Sequence, residues 1–119
     1  MSFSDCISSV PRVKYLSKLN FTEDIMKDLE GKIALVTGAS RGLGRGIAEV
    51  LAEKGASVIA NYRTDTAHAQ SICDEIRAKG GTAVPFQADV GKAEEVKKLF
   101  DFVKSEFGRL DILVNNAGT

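Results

Sequence analysis

At 119 residues the chain has room for about one domain, and its 44% of hydrophobic residues are enough to build a core. Sixteen Lys and Arg balance sixteen Asp and Glu, so the formal charge is zero and the electrostatic footprint of a nucleic-acid or polybasic membrane binder is missing. The longest purely aliphatic run is Ile33 to Val36, far below the ~20 residues of a bilayer span. Two cysteines, Cys6 and Cys73, lack a C-x-x-C or a nearby His pair, which argues for no disulfide framework and no metal site and fits a reducing cytoplasm.

Residues 1–30 contain no glycine, five serines and no continuous apolar stretch, so they are not a secretory signal. They read as an N-terminal extension, disordered or surface-docked. Up to Asn20, Asp5 is the one acid against Arg12, Lys14 and Lys18, a balance also found in transit peptides, so organellar targeting stays open beside a cytoplasmic location. Residues 31–119 form the domain. Ile33 to Thr37 is a short apolar run between glycines, the pattern of a strand buried on both faces. Leu43, Ile47, Val50 and Leu51 then recur at helical spacing as far as Gly55, a C-cap residue. Ser57 to Asn61 predicts a second strand. Ala69, Ile72, Cys73 and Ile76 predict a helix that Gly80 and Gly81 stop. Ala83 to Gln87 is the third strand, and Val96, Leu99, Phe100, Val103 and Phe107 form an apolar stripe ended by Gly108. Leu110 to Val114 is the fourth strand.

This alternation implies an α/β parallel sheet. Pro85 has no N–H to give a ladder, so the third strand belongs at an edge. The order 3-2-1-4 satisfies this and is the truncated first half of a Rossmann-type doubly wound sheet.

Thr37-Gly38-Ala39-Ser40-Arg41-Gly42-Leu43-Gly44 follows the first strand and reads as a phosphate cradle. Gly38 permits a sharp exit, Gly42 a close backbone approach to pyrophosphate, and Gly44 close packing of helix on sheet. The helix N-terminus aims free amides at the anion. No G-K-[ST] follows, which disfavours a nucleoside triphosphatase. A glycine-rich turn without a ligand is the alternative.

With Asp89-Val90 after the third strand and Asn115-Asn116-Ala117-Gly118 after the fourth, the series T-G-x-x-x-G-x-G, D-V and N-N-A-G resembles the short-chain dehydrogenase/reductase family from Gly31 to Thr119. The glycine stretch is most similar to the 3-oxoacyl-acyl-carrier-protein reductase and carbonyl reductase branch. The resemblance implies that Ser40, Arg41 and Leu43 line the pyrophosphate and adenosine side. Asp89 would accept from the adenine amino group beside the Val90 amide, or else cap the following helix. Asn116, Ala117 and Gly118 would run beside the nicotinamide ribose, with Asn116 also tying strand ends together.

An NAD-preferring site carries an acid at the end of the second strand. Here that end reads Ala60-Asn61-Tyr62-Arg63, which makes Asn61 and Arg63 candidate cofactor contacts. Guanidiniums of Arg41 and Arg63 suit a 2′-phosphate, so NADP(H) is preferred over a possible NAD(H), unless Arg63 is only a solvated loop charge. His68 reads as solvated, Cys73 as a small core residue, and the charges of the third helix as a solvated face.

The family's proton donor is a Tyr in Y-x-x-x-K, helped by Ser and Asn, downstream of N-N-A-G. Tyr15 has Lys18 at the wrong spacing and Tyr62 has Thr66 four residues on, so no catalytic residue is assigned. The resemblance also implies further strands beside the fourth, which leaves Ile112 to Val114 as an uncovered apolar edge, and a homo-oligomer for a full-length form. The expected function is the cofactor-binding portion of an oxidoreductase interconverting a carbonyl and an alcohol, with a small-molecule carbonyl substrate in the full-length form. A non-catalytic nucleotide- or partner-binding short form is the alternative. A methyltransferase on a similar sheet fits the D-V and N-N-A-G matches less well.

Overall fold

The computed structural model describes Lys14–Leu16 and residues 29–116. In chain order the elements are β1 (Lys14–Leu16), β2 (Ile33–Val36), α1 (Gly42–Glu53), β3 (Ser57–Tyr62), α2 (Thr66–Ala78), β4 (Thr82–Gln87), α3 (Ala93–Phe107) and β5 (Ile112–Val114). The strands make one sheet in the order β1-β5-β2-β3-β4, and every pairing is parallel.

The anticipated 3-2-1-4 order is present as β4-β3-β2-β5. Pro85 sits on β4, which pairs with β3 alone, so its missing donor faces no ladder. One expectation is corrected. The β5 edge is not uncovered, because Lys14, Tyr15 and Leu16 pair with Ile112, Leu113 and Val114, and the sheet has five strands. A three-residue strand carries too little periodicity to stand out in a polar, serine-rich stretch. Leu29, within the N-terminal extension, is buried, and its N–H donates to Lys54 O at 2.9 Å. The remaining residues of the N-terminal extension, up to 28, lie outside the described residues.

Period-2 geometry sends Ala34 and Val36 to one face of β2 and Ile33 and Leu35 to the other, and all four are buried. The first face packs with Val58, Ala60 and Val114 under Ile47 and Leu51 of α1 and Ile72 and Ile76 of α2. The second packs with Ile59 and Leu113 under Val96, Leu99, Phe100 and Val103 of α3. Each of those α3 residues is essentially buried, and burying a side chain of that size contributes about 1.5–3 kcal/mol. α3 ends at Gly108, whose φ of 74° is left-handed, as the sequence anticipates. The result is three layers, with α1 and α2 on one side of the sheet and α3 on the other.

This layering locates the site. From β2 the chain winds through α1 and α2 toward β4, then returns through α3 to β5 on the opposite flank of β2. The order therefore reverses between β2 and β5, and ligands of open parallel sheets bind in the crevice outside the strands' carboxyl ends at such a reversal.

Candidate functional site

The loop that leaves β2 sits at this reversal. Gly38 and Gly42 adopt φ of 63° and 62°, conformations that strain any residue with a Cβ. Between them the chain turns so that Arg41 becomes the N-cap of α1 in extended conformation, with no side chain capping the helix and no acid in its first turn. The first-turn amides and the positive end of the helix dipole are thus left for an anion. Gly44 packs against the strand exit: a Cβ there would lie 2.2 Å from Gly38 O and 2.5 Å from Asn116 Nδ2. Leu43, on the same turn, is 55% exposed, the one large hydrophobic so exposed among the described residues.

The end of β5 is stitched to this loop through Thr37, which is fully buried. Asn116 N donates to Thr37 Oγ1 at 2.8 Å, the Thr37 hydroxyl lies 3.2 Å from Asn115 Oδ1, and Asn116 Nδ2 donates to Gly38 O at 3.2 Å. Asn116 therefore ties the strand ends together. Thr37 was legible only as the first letter of a motif, and its buried hydroxyl becomes evident in the fold. Ala117 and Gly118 lie outside the described residues.

Asn61 is also drawn inward. It is buried, its Nδ2 donates to Phe86 O and Ala88 O, and its Oδ1 accepts from Gly38 N at 3.4 Å. Its side chain is committed to backbone, where it ties β3, β4 and the glycine loop together. Asp89 and Val90, half-buried, follow β4 at the same edge of the sheet. Asp89 Oδ1 accepts from Gly91 N at 2.9 Å, closing the turn before α3, while Lys92 is the N-cap of that helix. Glu95 reaches back to the Asp89 amide at 3.0 Å.

Arg63 follows β3 and is exposed; its carbonyl accepts from Gln87 Nε2 at 3.0 Å. Arg41 reaches toward the same strand end, because its Nε lies 3.5 Å from Asp65 Oδ2. Asp65 carries its signal in the sequence as an N-cap, an acid three residues ahead of His68 at the start of an apolar helical stripe. Its Oδ1 accepts from His68 N at 3.1 Å, and the His68 ring Nδ1 lies 2.8 Å from the same carboxylate. These His68 contacts first, and Arg41 after them, hold the Asp65 carboxyl below its usual range. Cys73 is core, and burial pushes its thiol up to about 11.

At the opposite edge of the sheet a cavity of about 510 Å³ opens beside Glu30, Gly55, Ser57 and Thr82. It lies at the amino ends of the strands and shares no residue with the glycine loop. Among the described residues no helix is long and apolar enough to cross a membrane.

Residues 32–119 match the family described as short chain dehydrogenase. A hydroxynaphthalene reductase-like protein Arp2 of Metarhizium acridum is 50% identical over 98 residues, covering 82% of this chain and 37% of that protein. Elsinochrome reductase 1 of Elsinoe fawcettii is 48% identical over 90 residues, covering 76% of this chain and 34% of that protein. Among solved structures, a short chain dehydrogenase from Burkholderia cenocepacia J2315 in complex with NADP superposes with a TM-score of 0.74 at 46% identity, covering 78% of this chain and 38% of that one. The chain thus spans a little over a third of the length of such relatives. With the reversal point, the glycine loop and the Asn116 tether in this arrangement, and with the match over residues 32–119, the chain belongs to the short chain dehydrogenase family.

Proposed function

We propose that this chain is the cofactor-binding portion of an NADP(H)-dependent oxidoreductase that interconverts a carbonyl and an alcohol. The observation that carries the reading is the first turn of α1: uncapped, free of acids, reached through the left-handed Gly38 and opened by the left-handed Gly42, and placed where the sheet reverses its order. A nicotinamide dinucleotide supplies or accepts hydride when bound. The chain's own residues bind and orient it. The amides of Gly42, Leu43 and Gly44 would hold pyrophosphate, the half-buried Asp89 and Val90 would take the adenine edge, and Arg41 and Arg63 would pair with a 2′-phosphate. Asn116, with Ala117 and Gly118, would flank the nicotinamide ribose. Asn61 supports this set from behind by fixing Gly38.

Neither Tyr15 nor Tyr62 has a lysine four residues on, so this chain contributes cofactor binding and no proton donor. The carbonyl substrate, a cytoplasmic location and homo-oligomeric assembly belong to the same reading. A second reading, a non-catalytic nucleotide-binding form, draws support from the pairing of β1 with β5, which closes the sheet edge with the chain's own residues.

The test is calorimetric titration of the 119-residue chain with NADP⁺ and NAD⁺. NADP⁺ should bind more tightly, and Arg41→Ala and Arg63→Ala should each weaken NADP⁺ by about five- to thirtyfold, as for loss of a charged hydrogen bond near a surface, with little change for NAD⁺. Equal loss for both cofactors, or none, defeats the 2′-phosphate assignment.

A further inference from the structure

Three features of the carboxyl end of β3 concern Asp65 and its partner Arg41. The first is that Asp65 is the one acid between Lys54 and Cys73, so no other carboxylate of that stretch stands near the strand end. The second is that Asp65 is held while its partner, Arg41, stands largely in solvent. Its carboxylate is fixed by the backbone and ring of His68 and is 22% exposed, whereas the Arg41 side chain is 74% exposed. The third is that the helix cap itself does not require the charge. Capping α2 needs a side-chain oxygen, which Asn or Ser supplies as well as Asp. The carboxylate uses Oδ1 for the cap and presents Oδ2 to Arg41 at 3.5 Å.

We infer that Asp65 is a specificity-determining residue of the cofactor site, a built-in anion that occupies Arg41 and so moderates the preference for a 2′-phosphorylated ligand. The inference rests on the proposed function, in which Arg41 meets the 2′ position. A 2′-phosphate has to share or displace the carboxylate on the same guanidinium, and two anions on one cation repel. A ligand with a free 2′-hydroxyl meets no such repulsion, and the carboxylate is an acceptor for that hydroxyl. Specificity is a difference between two affinities, and here one repulsive element lowers it. The pair is exposed, in high dielectric, where a single charge shifts binding modestly, so the effect is about three- to tenfold.

The probes are adenosine 2′,5′-bisphosphate and ADP, which differ at the 2′ position and need only this end of the site. Both are titrated into the full chain and into Asp65→Asn, Asp65→Ser, Arg41→Ala and the double variant Arg41→Ala/Asp65→Asn. Asn and Ser keep the cap oxygen, and unchanged thermal midpoints show that α2 is intact. Asp65→Asn and Asp65→Ser are expected to tighten the bisphosphate about three- to tenfold and to leave ADP unchanged or weaker. That gain should disappear in the Arg41→Ala background, since it arises from competition for Arg41. If Arg41→Ala weakens the bisphosphate selectively but the Asp65 variants leave it unchanged or weaker, Asp65 only caps or positions and the inference falls while the cofactor reading stands. If Arg41→Ala changes neither probe, the 2′-phosphate reading falls and the inference falls with it. A gain that persists without Arg41 overturns the competition.

Discussion

Replacing Gly44 by alanine tests the tightest contact of the site. The added Cβ would lie 2.2 Å from the Gly38 carbonyl oxygen and 2.5 Å from Asn116 Nδ2, and the first of these is backbone that cannot swing aside. Relief requires α1 to lift from the β2 exit and Asn116 to release its 3.2 Å bond to Gly38 O. Overpacking of this kind costs ~1–3 kcal/mol, and the lost hydrogen bond adds ~0.5–1.5 kcal/mol. Against this, alanine in place of glycine inside a helix gains ~1 kcal/mol. The net expectation is a loss of roughly 2 kcal/mol. Gly46 supplies the control, because it is exposed on the same helix and a Cβ there meets nothing within 4 Å. Gly46→Ala should therefore stabilise by ~0.5–1 kcal/mol. Urea unfolding followed by circular dichroism reads both, and with a slope of ~1–1.5 kcal/mol/M for a domain of this size the midpoints should move in opposite directions, by about 1–2 M downward and about 0.5 M upward. A Gly44→Ala chain that unfolds at or above the parent midpoint would refute the close approach of α1 to the β2 exit, and with it the geometry assigned to the phosphate cradle.

Asp111, buried at the start of β5, accepts from Ile33 N at 2.8 Å and from Arg109 Nε at 2.9 Å. Burial raises its carboxyl, but the Arg109 guanidinium and the Ile33 amide outweigh that and hold it below its ordinary 3.8. A depressed folded value means stability that is fully present above about pH 3.8 and lost as pH falls through the folded value. Asp111→Asn should cost about 1–2 kcal/mol at pH 7, with the gap closing below pH 4 in urea unfolding; a variant as stable as the parent at pH 7 contradicts the pairing. Cys73, fully buried with its thiol pushed up to about 11, should not react with a disulfide reagent at pH 8 in a Cys6→Ser chain until denaturant is added. Reaction within minutes in the folded state would show that α2 opens. Tyr15→Pro and Leu16→Pro each remove an N–H from β1, and successive N–H groups of a strand point to opposite sides, so one of the two must break the ladder to β5. That variant should self-associate in sedimentation while the other stays as the parent; identical behaviour of both with the parent would sink the protective role of β1.

Much of the fold was legible because each βα unit announces itself locally. The apolar run of β2 and the stripe of α3 each follow one period, and Pro85 alone fixes which strand lies outermost. The glycine loop was legible for a different reason, since spacing encodes where a Cβ is disfavoured: Gly38 and Gly42 take left-handed φ, and Gly44 leaves no room for a Cβ against the strand exit. What escaped depends on contacts between distant segments. β1 exists because β5, formed near the other end of the chain, offers a ladder, and nothing in Lys14-Tyr15-Leu16 itself encodes that. Asn61 stood at the right place for a ligand contact, but its burial against Phe86 and Ala88 carbonyls is a property of the β3–β4 register. The Arg41–Asp65 pair joins two loops that the sequence separates by a helix and a strand.

These distinctions separate affinity from selectivity in the proposed site. Pyrophosphate is addressed by backbone amides, and their placement is enforced by glycines, by the buried Thr37 hydroxyl and by the Asn61 and Asn116 tethers. Any dinucleotide would draw on that set equally, and changing it means disturbing the core. The 2′ position would be addressed by the side chains of Arg41, Arg63 and Asp65, which stand on loops around one strand end, with Arg41 largely in water and Arg63 exposed. Charges in that setting act through a high dielectric, so each shifts discrimination by about three- to thirtyfold. Selectivity built this way is adjustable by single surface substitutions that leave the fold untouched. The cap that Asp65 provides is available without charge, so the charge bears on the His68 ring and on Arg41, and through Arg41 on the proposed 2′ contact.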